Sequence, residues 1–358
     1  MRLWHDMHTP NKSVAKVLAD DGAQAEVYIE ANVTLSQLAD CWAFLLLPIC
    51  MALGEDLEIF GNLSESVADS FVEAQNELLL GHKNLSTVRL IHHGDIRLNS
   101  QGQDHNNKTA LFFSGGLDST FVAESLDGID ALISVWGFDI PAKNSRHWQL
   151  TLDLVKSYAA STNRELITVK TNIRELSNPL LVWGRDYHGT ALSGIATALA
   201  AQFGQVLVAA GYVRQDPNWG HSPTIFAAYS NNRCTIEQTE PVLRIAKAAA
   251  LADNPRTKLI RVCYRNQNGL ANCVTCKKCV RTRLEFDLVK AHYRPLGLET
   301  RPTFAELAQG TITNWDYLFY REAIDWAKAH GFGRTFSASF AVALARLRSK
   351  VAALVKFS

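Results

Sequence analysis

A single stretch, residues 108–120, constrains the fold of this chain more than any other segment; its sequence is KTALFFSGGLDST. The apolar run at residues 110–113 predicts a buried strand, and the pattern from Leu117 onward predicts a helix. Gly115 and Gly116 lie between them and can adopt backbone angles that other residues avoid. The sequence therefore predicts a strand, a sharp turn and a helix, with room for a ligand to approach the main chain at the turn.

The predicted turn has the chemistry of an anion site. Backbone amides of such a turn, together with a helix N-terminus, bind phosphate groups. The hydroxyls of Ser114, Ser119 and Thr120 would add donors. Asp118 is the one carboxylate in the loop, and it would repel a phosphate unless a cation lay between them, so we expect it to bind Mg²⁺. The alternative is an ordinary Gly-Ser turn before a helix.

The Lys-Ser/Thr pair of the Walker motif is missing from this loop. Instead, SGGLDST at residues 114–120 resembles the SGGxDS loop of the N-type ATP pyrophosphatases, the PP-loop family. Enzymes of that family hold the pyrophosphate of ATP and use the α-phosphorus to adenylate an oxygen. The resemblance implies that ATP contacts the whole loop, which consists of Ser114, Gly115, Gly116, Leu117, Asp118, Ser119 and Thr120.

Downstream of the loop, apolar strands alternate with helices. Strands are predicted at residues 110–113, 131–135, 166–169 and 206–210, with helices at 119–126, 149–160 and 191–203. This alternation predicts a doubly wound parallel sheet, and the resemblance implies the adenine nucleotide alpha hydrolase-like fold. Ligands of such sheets lie beyond the carboxyl ends of the strands, so we expect Gly137, Phe138 and Gly211 to border the ATP site. Asp139 is either a ribose or cation ligand or a turn cap.

Four cysteines, spaced C-x9-C-x2-C-x2-C, form the second motif: Cys263, Cys273, Cys276 and Cys279. Thiolates at this spacing suit a tetrahedral Zn²⁺ site, and four of them leave no open position, which predicts a structural zinc. The alternatives are an iron–sulfur cluster or a reactive thiol at one of the four. The odd total of seven cysteines and their clustering favour a reducing compartment.

The loop combined with this cysteine motif resembles the 7-cyano-7-deazaguanine synthase family over residues 108–288. Within that resemblance, Glu240 and Pro241 precede Lys247 as a Thr-Pro pair precedes a lysine in the family. The resemblance implies that Lys247 neutralises charge as pyrophosphate leaves. The alternative for Lys247 is a solvated helix lysine. Residues 136–140 and 187–190 differ from the family's pattern, so the substrate stays open.

We expect four segments along the chain. A small N-terminal α/β module would cover residues 1–105, the PP-loop ATP-binding domain 106–262, the zinc-binding cysteine segment 263–290, and a helical C-terminal extension 291–358. A four-three spacing in the extension predicts a helix that packs one face on the core, formed by Phe340, Leu344, Leu347, Val351 and Leu354. Its basic residues are either an RNA contact patch or a solvated face near a helix C-terminus: Arg346, Arg348 and Lys350.

The predicted function is AMP- and PPi-forming adenylation of a substrate carboxylate or carbonyl oxygen, followed by capture with a nitrogen nucleophile. Asp118 and Lys247 would be catalytic, and the cofactors would be ATP, Mg²⁺ and Zn²⁺. The acceptor would be a small-molecule or peptide carboxylate, with ammonia or an amine as donor. His188 and His221 are candidate general bases. The alternatives are a PP-loop sulfur transferase acting on RNA or a small molecule, and a non-catalytic nucleotide-binding scaffold.

Charge and hydropathy limit the cellular locations and the kinds of partner that we expect. The net charge of +1 gives no general tendency to bind nucleic acid or membranes. The N-terminus has no apolar signal core. The most apolar stretch, residues 41–53, contains Pro48, is too short to span a bilayer, and predicts a buried helix. We therefore expect a cytoplasmic protein without a membrane partner; a homodimer is one possible assembly, and the sequence leaves the oligomeric state open.

Overall fold

The structure is a computed structural model that describes residues 1–97, 107–211, 222–265, 269–309, 312–332 and 335–355. The strands are β1 (Arg2–Thr9), β2 (Lys12–Leu18), β3 (Gln24–Ala31), β4 (Leu57–Phe60), β5 (Leu63–Ser64), β6 (Leu90–His93), β7 (Ile96–Arg97), β8 (Thr109–Phe112), β9 (Ala131–Trp136), β10 (Glu165–Thr171), β11 (Gln205–Val208) and β12 (Thr235–Gln238). The helices are α1 (Asp40–Leu53), α2 (Val67–Gly81), α3 (Leu117–Ser125), α4 (Ser145–Ser161), α5 (Ile173–Ser177), α6 (His188–Ala198), α7 (Pro223–Tyr229), α8 (Arg244–Ala250), α9 (Lys277–Leu288), α10 (Phe304–Gln309), α11 (Asn314–Ala329) and α12 (Thr335–Val355).

The centre of the molecule is a ten-stranded sheet with the order β12-β11-β8-β9-β10-β3-β2-β1-β4-β6. Its first five strands are all parallel, and their order is that of a doubly wound sheet. The strand order reverses between β8 and β11, which is where such sheets bind ligands at their carboxyl edge. The α/β fold and the mostly parallel sheet are confirmed, and so is the helical C-terminal region.

The N-terminal residues continue the same sheet. Strand β3 pairs antiparallel with β10, with Ala31 opposite Val169. The side chain of Asn172 strengthens this junction, because its Oδ1 accepts from the Tyr28 amide at 2.9 Å and its Nδ2 donates to the Glu26 carbonyl at 2.9 Å. Strands from both sides of the predicted boundary at residue 105 therefore belong to one continuous sheet.

Helix α1 is the buried helix predicted at residues 41–53. It packs against α6 so closely that a Cβ on Gly194 would lie 2.4 Å from Leu45 Cγ. The Leu45 carbonyl accepts a hydrogen bond from the Tyr187 hydroxyl at 2.7 Å, so even the helix backbone is tied to the segment before α6. Among the residues that the structure describes, no helix is both long and apolar enough to cross a membrane.

Helix α12 packs on the core with a different face from the one that its large side chains predict. Its buried residues are small: Ala338, Ala341, Val342 and Ala345. Phe340 and Leu347 are 60% and 59% exposed, so the prediction that they pack on the core is wrong. The physical reason is that small side chains let α12 approach α10 and α11 closely. Leu344 is half-buried, and the side chains of Val351 and Leu354 lie outside the described residues.

Candidate functional site

Residues 113–116 join β8 to α3, and the predicted loop at residues 114–120 continues into the first turn of α3. Gly115 has φ +71°, a left-handed conformation that favours glycine, and Gly116 is the N-cap of α3. The Gly116 amide donates to Ser114 Oγ at 3.3 Å, and the Ser119 hydroxyl donates to the Gly116 carbonyl at 3.3 Å. The loop therefore lies at the carboxyl end of a central strand, with a helix N-terminus aimed at the crevice.

Asp118 is held by two cations from α8. Its Oδ1 accepts from Lys247 Nζ at 2.7 Å, and its Oδ2 accepts from Arg244 Nη1 at 3.0 Å. Lys247 is only 1% exposed and also donates to the carbonyl of Ala210, just after β11. Lys247 is therefore not a solvated helix lysine. It links the loop after β8 to the segment after β11, across the point where the strand order reverses.

Glu285 on α9 extends this cluster away from the loop. Its Oε2 accepts from Arg244 Nε at 3.1 Å, and its Oε1 lies 3.7 Å from Arg281 Nε. The cluster thus contains three basic side chains and two carboxyl groups, a formal excess of one positive charge. Arg244 was missed by sequence reasoning, although its position three residues before Lys247 places both on one face of α8.

The cluster of charged side chains around Asp118 keeps this carboxyl group ionised. Burial opposes its ionisation, but Arg244 and Lys247 outweigh burial, so the pKa of Asp118 lies below its usual value. Burial dominates at Glu285 and raises the pKa of that carboxyl. The cation that the sequence analysis required beside Asp118 is thus supplied by two side chains. The Mg²⁺ role of Asp118 remains a prediction, and it requires a carboxylate oxygen to be shared with the ion.

The segment after β9 lies at the carboxyl end of the strand that pairs with the loop strand β8. Gly137 has φ +113°, and a Cβ there would lie 1.9 Å from the Thr171 carbonyl oxygen, so only glycine fits. The Phe138 carbonyl accepts from Arg174 Nη1 at 2.6 Å, and its buried ring contacts Trp183 with ring centroids 5.0 Å apart. Neighbouring side chains fix the main chain at this point, as we expect for a segment that contacts a ligand through its backbone groups.

Replacing Gly137 by alanine should lower the free energy of unfolding by more than about 3 kcal/mol, because the new methyl group overlaps the Thr171 carbonyl. Gly128 is the matched control: its φ is +77°, but a Cβ there meets nothing within 4 Å. Gly128→Ala should cost about 1 kcal/mol from backbone strain alone. Urea denaturation of both variants measures the difference, and equal losses would contradict the close approach of the two strands.

Asp139 is exposed, and positive groups surround it. Desolvation by the surrounding protein opposes the ionisation of Asp139. The nearby basic groups outweigh this effect, so the pKa of Asp139 lies below its usual value; in decreasing order of effect they are Lys278, His188, Arg261 and Arg174. These groups come from α9, α6, the segment before the cysteines and α5 respectively. Four parts of the chain thus bring basic side chains near Asp139, close to the carboxyl end of β9. Three of these side chains are cations, whereas burial lowers the pKa of His188 and keeps its imidazole neutral at neutral pH.

Gly211, the third predicted crevice segment, is half-buried and follows Ala210, whose carbonyl accepts from Lys247. His188 is half-buried at the start of α6, and its ring lies 5.2 Å from that of Trp183. Its predicted companion His221 lies outside the described residues.

The four motif cysteines form one buried cluster. The sulfurs of Cys263, Cys273, Cys276 and Cys279 all lie within 4.8 Å of one another. The Cys276 and Cys279 sulfurs are 3.4 Å apart, and the Cys273 and Cys279 sulfurs are 4.0 Å apart. A single ion with Zn–S distances of about 2.3 Å separates its sulfurs by roughly 3.8 Å, so the cluster fits one tetrahedral metal ion.

The backbone around these cysteines is arranged for metal binding. Cys276 is the N-cap of α9, where helix dipoles favour a thiolate. Val274 has φ +67°, a conformation that β-branched residues avoid. Such strain persists only where the surrounding structure enforces it, as the tight turn between Cys273 and Cys276 does here.

The cysteine cluster packs against the start of α3, next to the glycine turn. Leu117, the first residue of α3, is buried in the same hydrophobic cluster as the four cysteines. Arg261 lies two residues before Cys263, and its amide donates to the Gly115 carbonyl at 2.7 Å. The conformation of the loop is thus coupled to the folding of the cysteine segment.

A scan against protein-family models matched none of them. Searches of the curated proteins and of the solved structures likewise returned no significant match. The fold and the site themselves define the class to which the chain belongs. It is an α/β protein with a doubly wound parallel sheet, a glycine turn and ion cluster at the point where the strand order reverses, and four cysteines positioned to bind a metal ion.

Proposed function

We propose that this protein is an ATP-dependent enzyme that forms AMP and PPi by adenylating an oxygen of a carboxylate substrate, and that a nitrogen nucleophile then captures the adenylate. One observation carries the proposal. The buried Lys247 reaches the carboxylate of the SGGLDST loop at the point where the strand order reverses. Burying a lysine is costly, so its position beside the predicted phosphate site argues for a role in charge stabilisation.

In the proposed adenylation, each charged group near the loop has a defined role. A carboxylate oxygen of the substrate attacks the α-phosphorus of ATP, and the bond from that phosphorus to the bridging oxygen of the β-phosphate breaks. Negative charge then develops on the departing pyrophosphate. Lys247 and Arg244 supply positive charge where it develops, and the loop amides orient the phosphates. A bound Mg²⁺ would add further charge neutralisation, with Asp118 as its proposed protein ligand.

The charged groups around Asp139 favour an anionic acceptor. Lys278, Arg261 and Arg174 act on Asp139 from three different parts of the chain and lower its pKa. They lie near the carboxyl end of β9, the strand adjacent to the loop strand β8. We place the acceptor carboxylate on this side of the crevice, where it faces the α-phosphate of a nucleotide whose pyrophosphate occupies the loop.

We propose that the cysteine cluster binds a structural zinc ion. Its four sulfurs surround the volume of one ion, whereas an iron–sulfur cluster places its cysteine sulfurs farther apart. All four positions of a tetrahedral ion would be filled by protein, so the zinc would stabilise the fold and take no part in the reaction. A colourless protein with one zinc per chain is expected, and visible absorbance from iron–sulfur charge transfer would contradict it.

Sulfur transfer, the alternative reaction, receives no support from the remaining cysteines. Cys41, Cys50 and Cys234 are buried. Burial raises the pKa of Cys50 and of Cys234 to about 12, so neither is a thiolate at neutral pH. The four other cysteines belong to the metal cluster. A sulfur transferase would need a reactive thiolate or an open cluster at the crevice, so we favour adenylation.

Asp118→Asn should abolish turnover while the fold is retained. The amide keeps the shape of the side chain but has no negative charge to balance Lys247 and Arg244, and it binds Mg²⁺ more weakly than a carboxylate does. The measurement incubates protein, Mg²⁺-ATP and a pool of carboxylic acids with ammonia, and mass spectrometry then detects AMP, adenylates and amides. The wild type should form AMP and PPi in equal amounts. ATP binding without any AMP, under all of these conditions, would instead support a nucleotide-binding scaffold.

A further inference from the structure

The outward face of α12 carries large apolar side chains in a regular stripe. Phe336, Phe340 and Leu347 are 84%, 60% and 59% exposed, and the exposed Ala343 lies between the last two. Their spacing is four, three and four residues, which is the spacing of a coiled-coil seam. We call these four residues the outer seam. Most exposed apolar residues are scattered singly, whereas a contiguous stripe marks an interaction surface.

Two features next to the outer seam extend it into a docking surface. Phe304 of α10 is 45% exposed and stacks on Phe340, with ring centroids 6.0 Å apart. Beside them lies a cavity of about 290 Å³, lined in part by Pro302, Leu307 and Ser337. A seam with an adjoining cavity fits a helix that inserts one large side chain as an anchor.

The charged residues of α12 itself are all basic. Helix α12 carries Arg346, Arg348 and Lys350 and has no aspartate or glutamate in its sequence. Arg346 immediately precedes Leu347, at a position that flanks a coiled-coil seam. At the other end of the seam, Arg301 donates to Ser337 Oγ at 3.3 Å, and Asp287 balances its charge from 3.2 Å, so the unbalanced charge is that of α12. A complementary helix therefore needs carboxylates beside its apolar residues.

A second copy of this chain does not meet that requirement. An antiparallel pair of α12 helices centred on Ala343 would place Lys350 opposite Phe336, where α12 has no carboxylate to pair with it. A parallel pair would place Arg346 and Lys350 beside their own counterparts. The parallel pair brings like charges together, and neither arrangement gives the basic residues of α12 a carboxylate on the other α12, which is unfavourable at an interface.

A lipid surface also fits less well than a helix. Helices that lie on membranes bury a broad apolar face, whereas the opposite face of α12 is already packed through Ala338 and Ala345. The outer seam is narrow, and the cavity beside it suits a protruding side chain. We propose that the outer seam binds an amphipathic helix of a partner protein, with apolar residues in heptad spacing and acidic residues flanking them.

The test is a selection on the full-length protein with a displayed library of helices. Each helix has leucine at both seam positions, and each flanking position is glutamate, glutamine or lysine. Glutamate should be enriched at the flanking positions. The selected peptides should bind at least about tenfold more weakly to Phe340→Ser/Leu347→Ser, because truncating hot-spot residues commonly costs this much or more. Their affinity should also fall with added salt.

The seam variant should fold, since both replaced side chains are exposed, and its thermal unfolding is compared with the wild type to verify this. Leu80→Ser is the matched control, because Leu80 is 78% exposed on α2, away from the seam. It should bind the selected peptides like the wild type. Enrichment of lysine, equal binding to the seam variant, or no binder at all would overturn the proposal. So would a protein dimer, or binding to phosphatidylserine vesicles, that the seam variant abolishes.

Discussion

Lys247→Met should lower the rate of AMP and PPi formation by about two to three orders of magnitude, the usual effect of removing one preorganised charge from a reaction site. Methionine fills the volume of the buried lysine stem but cannot donate to Asp118 or to the Ala210 carbonyl. Arg244 still pairs with Asp118 in this variant, so the carboxylate keeps one partner. The loss should therefore appear chiefly in kcat, because the phosphate-binding amides of the loop are unchanged.

The control for this variant is Lys12→Met. Lys12 also pairs with a carboxylate, Glu30 at 3.6 Å, but lies in the N-terminal hairpin. Its replacement should leave turnover unchanged. Thermal unfolding of both variants separates lost chemistry from lost folding. A Lys247→Met protein that folds and keeps the wild-type kcat would contradict the role of this lysine in charge stabilisation.

Cys276→Ala should release the metal ion and unfold the cysteine segment. Binding of structural zinc to small domains provides about 10–16 kcal/mol. A whole protein is stable by only about 5–15 kcal/mol, so loss of the ion is a large effect. The first turn of α9 should fray, because Cys276 is its N-cap. Since Leu117 packs on the cysteines, ATP binding at the loop should weaken as well.

Metal content by mass spectrometry and limited proteolysis measure this outcome. The control is Cys234→Ala, because Cys234 is equally buried but lies in another hydrophobic cluster. That variant should keep one zinc per chain and resist proteolysis. If Cys276→Ala kept both its metal and its melting temperature, the cysteine cluster would not be a structural metal site.

Local features of the sequence predicted the elements around the site. The glycine turn, the parallel strands and the cysteine spacing each depend on residues close together in the chain. Lys247 was proposed from a resemblance, and the structure places it beside Asp118, 129 residues away in sequence. The partners Arg244 and Glu285 were missed, because a buried ion pair between α8 and α9 leaves no local periodic signal.

Two larger features escaped sequence analysis for physical reasons. The hairpin formed by β1 and β2 was missed because few of its residues alternate clearly between apolar and polar, and Leu3 is the one fully buried residue in β1. The face of α12 was assigned to its largest apolar residues, as hydrophobic patterning normally requires. The structure buries Ala341 and Ala345 instead and leaves Phe340 outside. Pattern alone cannot distinguish a core face from an interaction face.

The most direct test of the proposed chemistry follows an oxygen atom. A pool of carboxylic acids, equilibrated with ¹⁸O in the carboxylate, is incubated with the protein, Mg²⁺-ATP and ammonia. Attack of a carboxylate oxygen on the α-phosphorus, followed by capture with nitrogen, transfers one ¹⁸O to AMP. We predict AMP heavier by two mass units and unlabelled PPi. Formation of ADP and phosphate, or of unlabelled AMP alone, would contradict the proposal.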